Sequence, residues 1–164
     1  MIILGIDPGT VSVGYALLEY DSTVRLHKAG LFSITSHSRR ERLKELHMEM
    51  NRIIKMWRPD MVALERLFFA KNVKTALEVA EARGAILLTT SLAGLSIREY
   101  TPLEVKKTVT GDGNADKKQI QKMLKLTLKE VDAIDARDDV FDAIAVALTC
   151  HFKERNVTSS HRFF

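Results

Sequence analysis

Apolar residues run almost unbroken through positions 2–6 and stop at a carboxylate, Asp7, followed by the turn composition Pro8-Gly9-Thr10. Short apolar runs bounded by turn residues read as buried strands. Residues 2–7 and 12–20 are therefore predicted to pair about that turn, with 23–34 as the third strand of a meander. Ser38-Arg-Arg-Glu41 is a capping-box pattern and opens a helix. Leu43, Leu46, Met50, Ile53, Ile54 and Trp57 then recur at steps of three and four, until Arg58-Pro59-Asp60 ends the period. Met61-Val-Ala-Leu-Glu65 is a second buried strand that ends in an acid. After a loop at 66–72, the pattern predicts a long helix over 73–92, a strand at 95–100 and a short helix from Thr101-Pro102 to Val109. Gly111-Asp-Gly-Asn114 is a turn, 115–129 a basic helix, and the last helix runs from near Asp138 to about Glu154. Residues 156–164 carry no apolar period and are expected to fray.

Three strands followed by helix-strand-helix-strand-helices give an α/β chain. Hairpins make the first neighbours antiparallel and helical crossovers make the later ones parallel. The expectation is a mixed five-stranded sheet flanked by helices on both faces, in one domain spanning 1–155 with a tail at 156–164.

Composition narrows this picture modestly. A chain of 164 residues with 46% hydrophobic and 28% charged residues holds one full core. The net charge of +4 suits a nucleic-acid partner without requiring one. A single Cys150 excludes an internal disulfide and any multi-cysteine metal site, and implies a reducing, cytoplasmic setting. No apolar run reaches the ~18–20 residues of a membrane span. The apolar start, interrupted by Asp7-Pro8, reads as a strand rather than a signal peptide.

The acids carry the chemistry. If the strands ending in Asp7 and Glu65 are neighbours, their carboxylates lie at one end of the sheet. The last helix adds Asp139 and Asp142 at i and i+3, on one face, with Asp142 bordering an apolar run. Four carboxylates brought together repel, and a cation relieves them. Oxygen-only donors favour Mg²⁺ or Mn²⁺, and two such ions can activate a water and stabilise the leaving oxygen of a phosphodiester. Taken singly, Asp138 and Asp139 also suit a helix start through the helix dipole, and Asp7 suits an ordinary turn.

These residues resemble the RuvC family of Holliday-junction resolvases. The resemblance rests on Gly5-Ile-Asp-Pro-Gly-Thr10 with Gly14-Tyr15, on Glu65 with Phe68-Phe69-Ala-Lys-Asn72, and on Ala82-Arg-Gly84. It continues through Val105-Lys-Lys-Thr-Val109, Gly111-Asp-Gly-Asn-Ala-Asp-Lys117 and Asp139-x-x-Asp142-Ala-Ile-Ala. It implies an RNase H-like fold, a homodimer and Mg²⁺-dependent endodeoxyribonuclease cleavage of four-way junctions by paired symmetric nicks, in DNA recombination and repair. It also implies a branch-migration helicase as partner. The family's catalytic and metal-binding acids map to Asp7, Glu65, Asp139 and Asp142, and cofactor use to two Mg²⁺ per subunit, with Mn²⁺ able to substitute. The Asp-x-x-Asp spacing selects Asp139, with Asp138 an extra acid beside it.

Lys71, Lys106, Lys107, Lys117 and Lys118 are candidate phosphate contacts, which would position a strand without reading its sequence. Phe68 and Phe69 cannot both face a core from a regular strand, and one could wedge between bases at a branch point. The resemblance favours Phe68. Ala76, Ala80 and Gly84 form a small-residue stripe at i, i+4 spacing, suited either to close packing on the chain's own sheet or to a dimer contact. The resemblance favours the dimer, which would present two sites to a two-fold junction.

Three other readings compete. Asp7-Pro-Gly-Thr10 with Gly14 is similar to the first phosphate loop of actin, Hsp70 and sugar kinases, but no second phosphate loop follows. A YqgF-type or RNA–DNA hybrid nuclease would share the first motif, while Phe68-Phe69-Ala-Lys-Asn72 argues against it. The third is a junction-binding protein without catalysis; with all four acids present nothing in the sequence supports a loss of activity, and an assay decides between them.

Overall fold

Side chains alternate across a strand, and this alone sorts the first strand between two cores. In the computed structural model β1 (Ile2–Asp7) sends Leu4 and Ile6 to one side of the sheet and Ile3 to the other. Gly5 shares the face of Ile3, and so does Asp7. The structure describes residues 1–9, 12–66, 73–134 and 136–160, and for 73–75 and 155–160 the backbone alone.

β2 (Gly14–Tyr20) and β3 (Val24–Leu31) follow as antiparallel hairpins, and a bulge between Leu17 and Leu18 shifts their mutual register. Helix α1 (Arg39–Trp57) crosses over to β4 (Met61–Glu65), and α2 (Val73–Leu92) to β5 (Ser96–Tyr100). Both crossovers deliver parallel neighbours, giving the order β3-β2-β1-β4-β5. The mixed five-stranded sheet matches the pattern-based expectation. Helices α3 (Pro102–Thr110), α4 (Lys117–Thr127) and α5 (Asp138–Ser160) complete the chain.

Two cores result. Leu46, Met50 and Ile53 of α1 and Ile86 of α2 bury against Leu4, Ile6, Val62 and Leu64. On the opposite face, α5 presents Ala143, Ile144 and Ala147 to Ile3, Ala16 and Ala63. Small residues let α5 lie unusually close. A Cβ built on Gly5 would collide with the Ala143 carbonyl and lie 2.6 Å from the Ala147 Cβ. One on Gly14 would collide with the Asp139 carbonyl. These glycines bring the start of α5 down onto the ends of β1 and β2.

Local signals govern some helix ends and not others. Arg58 ends α1 in the left-handed region (φ 46°), its N–H bonded to the Ile54 carbonyl, just before Pro59 as the sequence predicts. The Ser38 capping box does not form: Ser38 is the N-cap residue but its side chain caps nothing. Glu41 turns instead toward Lys44, at 3.4 Å. Reciprocal boxes occur where none was expected, at Thr101/Glu104 and Asp116/Gln119. The second of these starts α4 at Lys117 rather than at 115. A 3₁₀ turn, Lys129–Ala133, replaces the end of the predicted basic helix. Helix α5 continues beyond Glu154 to Ser160.

Candidate active site

Strand register places the first two acids. β1 and β4 pair in parallel through Ile3–Met61, Leu4–Val62, Gly5–Ala63 and Ile6–Leu64, and one step further on stand Asp7 and Glu65. Adjacent strands lie ~4.8 Å apart, and residues in step share a face. Both carboxylates therefore emerge at one end of the sheet, on the side covered by α5. The same side receives Asp139 and Asp142 from the first turns of α5, where the helix dipole favours negative charge. The Ser12 hydroxyl, in the turn before β2, donates to Asp139 Oδ2 and fixes that carboxylate's orientation.

The charges of the other three acids all act on Asp7. Burial pushes the Asp7 carboxyl up to about 8, and the charges of Asp142, Glu65 and Asp139 act in the same direction. Glu65 is pushed up to about 7, first by burial and then by Asp142, against the pull of Lys117 and Lys106. Burial also raises Asp142, with Lys117 opposing it. Among the described residues, neither the Asp7 nor the Glu65 carboxylate accepts a hydrogen bond. Buried carboxylates without donors or counter-charge are costly, so the set calls for positive charge.

Lys117 supplies some of it. Its ammonium lies 3.1 Å from Asp138 Oδ2 and 3.5 Å from Asp142 Oδ2. Burial pulls the Lys117 pKa down, but Asp142 and Asp138 more than offset this and the net shift is upward. A cleft opens over this end of the sheet, lined by Glu65, Pro102, Val105, Lys106, Lys117, Ile120 and Asp142. As the side chains stand, no three acidic, His or Cys groups among the described residues meet in ligating geometry. The donor chemistry nonetheless fits a hard divalent cation. It is all carboxylate oxygen, with three carboxyls held above their ordinary range.

Some sequence-predicted residues converge here and others stand apart. Asp7, Glu65, Asp139, Asp142, Lys106 and Lys117 gather at the cleft end of the sheet. Lys107 is exposed in the body of α3, and Lys118 is exposed on α4 in a groove with Gln121, Lys122 and Lys125. Phe68, Phe69 and Lys71 lie outside the described residues. On α2, Ala76 and Ala80 are half-buried and Gly84 is exposed, with nothing within 4 Å of an added Cβ. The sheet-packing alternative thus has no support at Gly84. Leu77 and Leu88 are 59% and 60% exposed on the same stripe.

Two residues without a local pattern support the acids. Arg83 donates to the Glu65 carbonyl at 3.1 Å and pairs with Glu99, bracing the end of β4 from α2 and β5. Its only sequence signal was membership in Ala82-Arg-Gly84. Ser12 gave no signal at all.

Comparison with known proteins agrees with this geometry. A family model described as crossover junction endodeoxyribonuclease RuvC matches residues 3–151. The protein of that name from Halothermothrix orenii is 49% identical over 154 residues, covering 92% of each chain. The one from Alkaliphilus oremlandii is 47% identical over 161 residues, covering 96% of each. Thermus thermophilus RuvC in complex with a Holliday junction substrate superposes with a TM-score of 0.86 at 29% identity, over 96% of this chain and 97% of that one. The Thermus thermophilus RuvC structure gives a TM-score of 0.85 at 30% identity, covering 96% and 98%. Matched over nearly all its length in sequence, and in a sheet whose acid-bearing end is built as described, the chain belongs to the RuvC family of crossover junction endodeoxyribonucleases.

Proposed function

We propose that this protein resolves four-way DNA junctions, acting as a cytoplasmic homodimer that places one nick in each of two opposed strands. The observation that carries the reading is that Asp7 and Glu65 follow the last paired residues of adjacent parallel strands, beneath Asp139 and Asp142, with Asp7 raised to about 8. These four acids would hold two Mg²⁺, with Mn²⁺ able to substitute. When bound, the ions supply an activated water and stabilisation of the departing 3′ oxygen, so that products carry 5′-phosphate and 3′-hydroxyl ends.

The chain's own residues do the rest. Ser12 and Arg83 hold Asp139 and the end of β4 in place, which keeps the donors at fixed separation. Lys106 and Lys117, lining the cleft, neutralise the phosphates on either side of the cut. Lys71, Lys107 and Lys118 extend that contact along the arms. Phe68, or else Phe69, wedges between bases at the branch point.

The exposed stripe of Leu77, Gly84 and Leu88 is the dimer contact, with Ala76 and Ala80 at its border. Gly84 lets the partner helix approach closely there. The branch-migration helicase partner rests on the family resemblance alone.

The test separates binding from chemistry. Asp7→Asn and Glu65→Gln should bind a synthetic four-way junction within about threefold of wild type in Ca²⁺ yet give no detectable nick in Mg²⁺. Loss of binding together with cleavage would refute a purely metal-holding role for these acids.

A further inference from the structure

Among the described residues, Asp138 is an acid beside the four carboxylates that has no task in the site proposed above. Its side chain is 56% exposed, twice the 28% of Asp142, and it faces outward from the first residue of α5. Yet both of its oxygens are engaged. Oδ2 accepts from Lys117 Nζ at 3.1 Å and Oδ1 from Gln121 Nε2 at 3.2 Å. Lys117 and Gln121 stand one turn apart on the same face of α4. One carboxylate thus clips that face of α4 to the start of α5. The clip adds little to folding stability, because water and salt screen exposed ion pairs.

The second contact of Lys117 suggests what it does. The same ammonium lies 3.5 Å from Asp142 Oδ2, so a proposed metal ligand and a rim acid share one lysine. A divalent ion on Asp142 repels a neighbouring ammonium and displaces it from that carboxylate. With Asp142 as its only partner, the lysine would be driven off into solvent. The backbone at Lys117 is fixed, since Asp116 caps α4 reciprocally with Gln119. Only the side chain has to swing, and Asp138 lies already within reach.

We infer that Asp138 is a positioning residue that gives Lys117 a second berth at the rim of the site, so that the ammonium stays over the cleft when a divalent ion claims Asp142. This rests on the reading of the site as a divalent-metal nuclease centre. Asp138 touches neither ion nor phosphate and acts through Lys117. Gln121 holds the berth in place by occupying the other carboxylate oxygen.

Mn²⁺ binding without DNA, followed by the electron paramagnetic resonance of the free ion, tests this apart from activity. Four proteins are compared: wild type, Asp138→Asn, Lys117→Met and the double variant. Without its berth the lysine rests on Asp142 alone and competes with the ion. Asp138→Asn should therefore weaken Mn²⁺ binding at least threefold more when Lys117 is present than when it is Met. Equal losses in the two backgrounds would show that Asp138 acts only as a bare charge and would overturn the inference, as would no loss in either. If wild type binds no Mn²⁺, the metal reading fails as well, which distinguishes the two failures.

Discussion

Replacing Asp7 by Asn removes one charge from a crowded, partly buried set while keeping the side chain's size. In the folded, metal-free protein Asp7 titrates at about 8 instead of 3.8, because burial and three neighbouring carboxylates disfavour its ionised form. Between those values the folded protein holds a proton that the unfolded chain has released. Wild-type stability therefore falls as pH rises from about 4 to about 8, and the Asn variant lacks that part of the slope. At about 1.36 kcal/mol per pH unit, the whole interval would amount to about 6 kcal/mol if Asp7 bore it alone. Glu65 and Asp142 share the repulsion, Lys117 screens it, and water reaches the cleft, so about 2 kcal/mol is the expected gain. For a chain of this size that corresponds to about 4–8 °C in Tm. Thermal unfolding in chelator should show Asp7→Asn more stable than wild type by that amount at pH 8 and nearly equal to it at pH 4. Saturating Mg²⁺ should reverse the order by stabilising wild type selectively. A variant less stable than wild type in chelator at pH 8, or a difference that ignores pH, would refute the charge-crowding argument.

Other perturbations probe other parts. Gly14→Ala drives a methyl into the Asp139 carbonyl and should shift the start of α5, lowering junction cleavage at least tenfold; a wild-type rate would show that this close approach does not set the acid's position. Leu88→Glu on the exposed stripe of α2 should convert a dimer to a monomer in sedimentation equilibrium, and an unchanged mass would move the dimer contact elsewhere. Phe68→Ala should slow single-turnover cleavage by weakening base unstacking, and wild-type rates would remove the wedge.

Which parts of the site the sequence discloses follows from the physics of each signal. Asp7 and Glu65 are legible because each ends a buried strand, and period two with parallel pairing then fixes their common face. Asp139 and Asp142 are legible because i and i+3 share a helix face. Ser12 is not, since its partner lies across the fold, in α5, and no local pattern encodes a turn-to-helix contact. Arg83 escapes for the same reason, as its bond to the Glu65 carbonyl depends on how α2 lies against β4. The Ser38 capping box misleads because Glu41 has a competing partner in Lys44, an alternative that the spacing does not reveal. Gly84 suits close packing by its size alone, and only the docking of α2 shows that it stands exposed, away from the chain's own sheet.

Substrate choice and metal dependence together decide whether the four acids form a centre specific for branched DNA. The direct measurement incubates the wild-type protein with an end-labelled four-way junction, a linear duplex of the same sequence and an RNA–DNA hybrid, with an ATPase assay alongside. Each is run in Mg²⁺ and in chelator. Paired nicks are expected at symmetric positions in opposed strands of the junction alone, with ligatable ends and no cleavage in chelator. Cleavage of the hybrid or linear duplex at a comparable rate, junction nicking that persists in chelator, or turnover of ATP would contradict that expectation.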